Sequence, residues 1–193
     1  PKTVAELAAA DVHLHVYGDY TQRQWATWIA ASRRLAPDHL HLHPNVDQAD
    51  WTREFSQYDA GWLHAFVSRN GGEIRRADWD DLNLPARMAT LAAAGLPMIQ
   101  RDNSGAIVAA QSLVRRLECG VFYASIPELT ARLRDRPQMA RLRANIWRRR
   151  DAFTFDAHVD ELIAFFRQAI AERRGRAIRH AVTALVPGRA ARQ

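Results

Sequence analysis

The sequence predicts an α/β protein, a doubly wound parallel sheet followed by a helical C-terminal segment. Three observations lead there. Two short stretches alternate apolar and polar residues with period two, and three further short apolar runs bounded by turn residues also read as strands. Stretches of helical periodicity fall between them, joined by short connections. From about residue 126 onward the pattern is helical throughout. Such alternation of strand and helix requires crossovers, and hence parallel strands with helices on both faces.

The first strand is read from Val12, Leu14 and Val16, which alternate with His13, His15 and Tyr17 and stop at Gly18-Asp19. A helix over roughly 20–35 follows, resting on Trp25, Trp28 and Ile29. Leu40 and Leu42 alternate with His39, His41 and His43 and end at Pro44-Asn45, a second strand. Trp51, Phe55 and Tyr58 fit a helix with Asp47 as its N-cap. Ala60 to Phe66 reads as the third strand, and the polar stretch Ser68 to Asp81 as a loop. Leu84 to Ala94 is an Ala-rich helix closed by Gly95. Pro97 to Gln100 is the fourth strand, and Ile107, Leu113, Val114 and Leu117 support a helix over about 105–117. Gly120 to Ala124 is the fifth. Ser125 and Glu128 have the capping-box spacing and open a helix carrying Leu129 and Leu133. The last long helix aligns Val159, Leu162, Ile163, Phe166 and Ile170 in one stripe, and the tail from Pro187 reads as frayed. Residues 1–150 are thus read as one domain. Residues 151–193 are read as a helix packing back on it or toward a domain outside this chain.

At 193 residues, 48% apolar and 25% charged, the chain can bury one sizeable core and is not a disordered polymer. Its single cysteine excludes a disulfide framework. No apolar run reaches the roughly 18 residues that span a bilayer, so a cytoplasmic protein without a membrane span is expected. The chain opens Pro-Lys-Thr, with neither initiator Met nor a signal-peptide profile, which suggests a trimmed piece of something longer. The net charge of +6 is uneven, since residues 132–193 hold 15 Arg against 6 acids. Such a face can meet nucleic acid or an anionic surface. However, 26 of the 27 basic residues are Arg, a compositional bias, and the interleaved aromatics of a single-strand binder are lacking. A solvated Arg-rich face is the reading, and nucleic acid is not an expected partner.

The loop Ser68-Arg69-Asn70-Gly71-Gly72 through Asp81 is long and follows a strand, the position where doubly wound sheets bind ligands. Its glycines permit close backbone approach, and its arginines suit phosphate oxygens. Ser68, Arg69 and Asn70 are therefore candidate contacts, with a solvated surface loop as the alternative. Pro85 suits a first helical turn, whose free amides favour an anion. Asn83 precedes that turn, and Arg87 and Thr90 share neighbouring helix surface. Asp19, just after Gly18, and His64, near the end of the third strand, are further candidates; His64 could equally be packed. The two His-x-His patterns, His13/His15 and His39/His41/His43, sit on neighbouring strands, so zinc is conceivable. No nearby Cys or Glu completes a site, and packed histidines without metal are the expectation. Cys119 reads as core, and no Ser-His-Asp order, P-loop or GxGxxG is present.

The stretch Leu84-Pro85-Ala86-Arg87 through Ala94-Gly95-Leu96-Pro97-Met98-Ile99 resembles the donor-binding helix of GT-B glycosyltransferases of the group 1 kind. There a Pro-x-Lys or Glu-rich start leads to an acidic residue, then Ala-x-Gly-x-Pro and a buried strand. Val12 to Gly18 is similar to the family's strand ending in Gly before the donor site, and Tyr58-Asp59-Ala60-Gly61 to its next strand entry. Asp102-Asn103-Ser104-Gly105 is similar to the polar turn after the Gly-x-Pro strand. Gly120 with Ser125, and Phe153 to His158, resemble the segments that close the fold. The likeness covers roughly residues 10–170.

The resemblance implies a Rossmann-like domain, one half of a GT-B fold, that binds a nucleotide diphosphate sugar as donor. It implies sugar transfer to an unidentified acceptor held by an N-terminal domain outside this chain, with neither cofactor nor metal. Arg87, at the Lys place of the Pro-x-Lys variant, would neutralise the diphosphate. Thr90, Asn83 and the Ser68–Arg76 loop would contact ribose, base or sugar, and Asn103 and Ser104 would help close the pocket. Gly18, Asp19 and His64 complete the implied donor contacts, and no catalytic residue is assigned. The family's two glutamates, eight positions apart, fall on Leu82 and Thr90 here. No strand bearing the family's diphosphate-holding Arg and Lys precedes Thr3. A non-catalytic module of the same fold and an Arg-rich polyanion-binding protein are the competing classes.

Overall fold

The computed structural model describes residues 1–20 and 22–185. The chain separates into two compact units, Pro1–Phe153 and Thr154–Gln193.

In the first unit, α1 (Lys2–Ala9) leads into β1 (Leu14–Tyr17), α2 (Arg23–Leu35) and β2 (Leu40–His43). A 3-10 turn and α3 (Trp51–Phe55) then precede β3 (Gly61–His64). After a long connection come α4 (Trp79–Leu82), α5 (Arg87–Ala93), β4 (Met98–Arg101), α6 (Ala109–Arg116) and β5 (Gly120–Tyr123). Two helices, α7 (Ile126–Arg134) and α8 (Arg136–Arg149), complete it.

All five strands stand where the alternation places them. Two helices were not anticipated. In α1, Val4 and Leu7 are the buried residues, a spacing of three in a short segment. The helix α4 lies inside the polar stretch read as loop. It forms because Asp78 accepts the Asp81 amide while the Asp81 carboxylate accepts the Asp78 amide, a reciprocal cap built from two aspartates. Asp47 makes no side-chain cap and precedes a 3-10 turn, so α3 begins only at Trp51 and ends at Phe55, before Tyr58. The Ser125 cap forms with the Glu128 amide, but the Glu128 carboxylate reaches the amide of Ala124 instead of Ser125.

The strands are all parallel, yet they form two sheets, β1-β2 and β3-β4-β5. The amides of Leu14 and Gly18 point at His39 and His43 on the β2 side. By alternation, those of His15 and Tyr17 point away from β2. Likewise the Gly61 amide points at Pro97 on the β4 side, so that of Trp62 points away. Both open edges face one cavity of about 1150 Å³, which His15, Tyr17 and Trp62 line. Leu7, Leu133 and Met139 bound it on one side of the strands, and Phe55, Tyr58 and Leu91 on the other.

The three-stranded sheet is buried on both faces. Leu63 and Met98 pack with Met88, Val114 and Ile146 on one side. Ile99, Val121 and Tyr123 pack with Leu7, Leu129 and Leu142 on the other. Cys119 is fully buried in the first of these cores. The two-stranded sheet buries Leu40 with Val4 and Ala36, and carries on its opposite face the histidines, of which His13 is exposed and His15, His41 and His43 are half-buried.

The second unit contains a 3-10 turn (Asp156–His158) and α9 (Val159–Leu185). Leu162, Ile163, Phe166 and Ile170, expected on one stripe, are all exposed. The stretch expected to fray, from Pro187, lies outside the described residues. Among the described residues no helix is long and apolar enough to cross a membrane.

Candidate functional site

The carboxyl ends of β3 and β4 form a rim, and the connection from residue 65 to residue 78 folds over it. Asn70 holds that connection in place. The residue is 1% exposed, its Nδ2 donating to Asp81 Oδ2 (3.0 Å) and to the Ile107 carbonyl (2.8 Å). Its Oδ1 accepts the amides of Gly72 (2.9 Å) and Ile107 (3.0 Å). An amide side chain has two donor and two acceptor places, and all four are filled here. Gly71 and Gly72, with φ of +59° and +83°, supply the left-handed backbone that this turn needs.

Asp81 is the second anchor. Burial opposes its charge, but hydrogen bonds from Ser68, the Asp78 amide and Asn70 together outweigh that, and the carboxyl lies below the ordinary range. Asn103 is the third. Its Oδ1 accepts the Ser68 amide (2.8 Å), and its Nδ2 donates to the carbonyls of Phe66 (3.3 Å) and Arg101 (3.2 Å). Gln111 joins from α6, accepting the Asn103 amide and donating to the Arg101 carbonyl. The side chains of Asn70 and Asn103 therefore shape the rim from within. Arg69 and the neighbouring Arg75 and Arg76 stay on the exposed side of the connection.

His64 ends β3 and is 8% exposed. Its Nε2 donates to Gln100 Oε1 on β4 (2.7 Å), which leaves Nδ1 as an acceptor. Neither His64 Nδ1 nor Gln100 Nε2 has a hydrogen-bond partner, although both atoms are buried. The rim thus holds one buried acceptor and one buried donor without partners among the described residues. Phe66 stacks on the imidazole at 4.4 Å. Burial, aided by the Arg87 charge, lowers the His64 pKa despite the Gln100 bond, and holds the ring neutral.

Arg87 stands at the start of α5 and also lines the cavity between the sheets. Its Nε (2.9 Å) and Nη2 (2.5 Å) both donate to the Leu63 carbonyl, whose place in β3 is irregular. The second terminal nitrogen, Nη1, remains for another acceptor. Asn83 ends α4 through its backbone, and Thr90 is half-buried on α5. Ser104 donates from its amide and its hydroxyl to Asp102 Oδ1, which also takes Arg115 at 2.6 Å. Arg115 lies 3.9 Å over the Phe122 ring. A small cavity of about 250 Å³ lies beside Asn103, Ser104 and Arg115. Gly18 and Asp19 follow β1 at the same carboxyl end of the strands.

Sequence reasoning missed Gln100, Gln111, Asp81 and Asp102, which make most of these contacts. The Asp-x-x-Asp spacing of 78 and 81 was the one available signal for α4. Nothing in the pattern distinguished Gln100 from any other strand residue.

The imidazoles of β1 and β2 form a stacked ladder on one sheet face. His13 stacks on His39 (4.6 Å) and His41 (5.1 Å), and His15 on His41 (4.4 Å) and His43 (5.2 Å). Tyr17 extends it over His43 at 4.5 Å and hydrogen-bonds Glu54 and Tyr58 through its hydroxyl. Burial first, and then the charges of His41, His43 and His13, lower the His15 pKa.

His15 and His64 together set a pH dependence. Both have folded pKa values below 6.5, so below that pH the unfolded chain binds protons more readily than the folded one. Stability is therefore full above pH 6.5 and falls as the pH drops toward the folded values. Asp81 and Asp102, lowered in the fold, titrate only in more acidic solution. The urea midpoint should fall between pH 7.5 and pH 5.5, and an unchanged midpoint would contradict this assignment. Compared with models of protein families and with curated proteins, the chain gives no match.

Proposed function

We propose that Pro1–Phe153 is a Rossmann-like, doubly wound domain that binds a nucleotide diphosphate sugar, the donor half of a GT-B-type glycosyltransferase. One observation carries this reading: the strand order around the cavity. Doubly wound sheets run 3-2-1-4-5-6 or 2-1-3-4-5, and in both the order reverses at an inner strand. The orders β2-β1 and β3-β4-β5 fit either pattern, with the cavity between their open edges at the reversal. In this architecture ligands bind outside the carboxyl ends of the strands at the point where the order reverses. Arg87 lines that cavity, and Gly18, Asp19 and His64 stand at the carboxyl ends of β1 and β3.

The chemistry there suits such a donor. Arg87 Nη1 is placed for a diphosphate oxygen, with Arg69 on the rim as a second cation. Transfer breaks the bond from the anomeric carbon to the diphosphate oxygen and forms one from that carbon to an acceptor oxygen. The nucleoside diphosphate leaves, and fixed positive charge stabilises it as the bond breaks. The acceptor would be held by a domain outside this chain.

Titration calorimetry with UDP, GDP and dTDP tests the reading. One of them should bind, and Arg87→Ala should weaken it about tenfold, the loss of one charge-assisted contact worth about 1.4 kcal/mol. No nucleotide binding, or binding indifferent to Arg87→Ala, would refute it. Salt-sensitive binding of DNA or RNA without nucleotide preference would instead favour the Arg-rich polyanion surface.

A further inference from the structure

The amino ends of β1 and β2 lie opposite the rim, and the nucleotide reading does not use them. His13 comes one residue before β1, and His39 one residue before β2. Asp11 Oδ1 lies 3.2 Å from His39 Nε2. One donor atom from each of Asp11, His13 and His39 falls within 4.8 Å of the other two. A tetrahedral zinc ion with bonds of about 2.0–2.1 Å holds its ligand atoms about 3.3 Å apart. The Asp11–His39 pair already has that spacing, and rotation of the exposed Asp11 and half-buried His39 side chains toward His13 closes the rest.

Two further features favour the same three residues. Asp11 ends α1 in a Schellman-type turn, its amide donating to Ala8 and the Val12 amide to Leu7. Its φ is +55°, a conformation for which glycine is the usual choice. An aspartate there accepts backbone strain, and its carboxylate meets His39. The second feature is the ladder itself. His13 Nδ1 lies 2.8 Å from His41 Nε2, and His15 Nδ1 lies 2.9 Å from His43 Nε2. Ligating histidines are normally oriented by a hydrogen bond from the other ring nitrogen. His41 supplies that bond to His13 and leaves Nε2 of His13 for an ion.

We propose that Asp11, His13 and His39 bind one zinc ion, with His41 as the positioning residue. Two imidazole nitrogens and one carboxylate oxygen suit a borderline divalent metal, and a water takes the fourth place. The ion joins the end of α1 to the starts of both strands and so ties them together. Arg134 donates to the Ala10 carbonyl at 2.5 Å, and this nearby positive charge weakens the site for a cation.

The test is zinc titration of the untagged chain at pH 7.5 by calorimetry, alongside thermal melting. One zinc per chain should bind and raise the melting temperature. Asp11→Gly separates folding from binding, because glycine relieves the turn. That variant should melt at or above the wild-type temperature without metal, yet bind zinc about tenfold more weakly or worse. His39→Ala should lose binding similarly, whereas His43→Gln should keep it. Absence of zinc binding would overturn the proposal. So would several ions per chain, or affinity unchanged in Asp11→Gly, either of which means chelation by surface histidines at large.

Discussion

Asn70→Ala should cost about 3–5 kcal/mol of folding stability, more than most single substitutions. The side chain makes four hydrogen bonds at a site 1% exposed to solvent. Truncation leaves the Ile107 amide and carbonyl, the Gly72 amide and the Asp81 carboxylate each short of a partner. A buried polar group stranded in this way costs about 1–3 kcal/mol, more when charged, and some are partly rescued by water. Asn70→Asp should be no milder, because it sets a second carboxylate about 3 Å from that of Asp81. Urea denaturation measures both losses. Proteolysis should report the same event locally, as cleavage near Gly71-Gly72 once the connection comes free of the rim. A loss below about 1 kcal/mol would mean the connection is held by something other than Asn70.

Asn70 also marks the limit of what the sequence discloses. The stretch from Ser68 to Asp81 reads as a polar, Gly-rich, Arg-bearing loop, and composition alone suggests a surface reaching for phosphate. Its inward half is instead a hydrogen-bonded hub, with Asn70 and Asp81 buried and Asn103 completing the support from the next strand. Polarity was legible, but direction was not, because partners such as Ile107 for Asn70 and Asn103 for Ser68 lie 35 or more positions away. The strands were legible for the opposite reason. These signals are local: Val12 to Tyr17 and Leu40 to His43 alternate within a few residues, and Pro97 to Gln100 is a short run set off by Gly95. Which edges pair is not local. The same five strands would read identically in one sheet or two, so the open edges at His15, Tyr17 and Trp62 had no signature. The histidine ladder shows both sides of this. Strand alternation placed five imidazoles on one face, while Asp11, the carboxylate beside His39, was hidden behind a helix end.

Charge was legible only as a total. The helix α8 belongs to the Arg-rich C-terminal part, where a solvated face is the natural reading, and Arg141 conforms to it. Arg143, two residues on, does not. Its Nε donates to the Gly95 carbonyl (3.2 Å), and its Nη2 donates to the carbonyls of Ser56 (3.4 Å) and Tyr58. One guanidinium thus ties α8 to the entrances of both β3 and β4. These carbonyls belong to irregular backbone that has no ladder of its own to join. Arg143→Met keeps the apolar stem and should cost about 2–4 kcal/mol, since hydrogen bonds from a charged donor contribute about 1.5–3 kcal/mol each and the carbonyls are left unpaired. Arg143→Lys should recover only part of that loss, because a single ammonium cannot reproduce a planar fork spanning two strand entrances. Arg141→Ala, on the solvated side, should stay within about 0.5 kcal/mol of wild type. Chemical denaturation of the three variants decides between a clamp and a merely basic helix. Equal, small effects at 141 and 143 would reduce Arg143 to surface charge, whereas the expected contrast would make it the link that holds α8 against the amino ends of the three-stranded sheet.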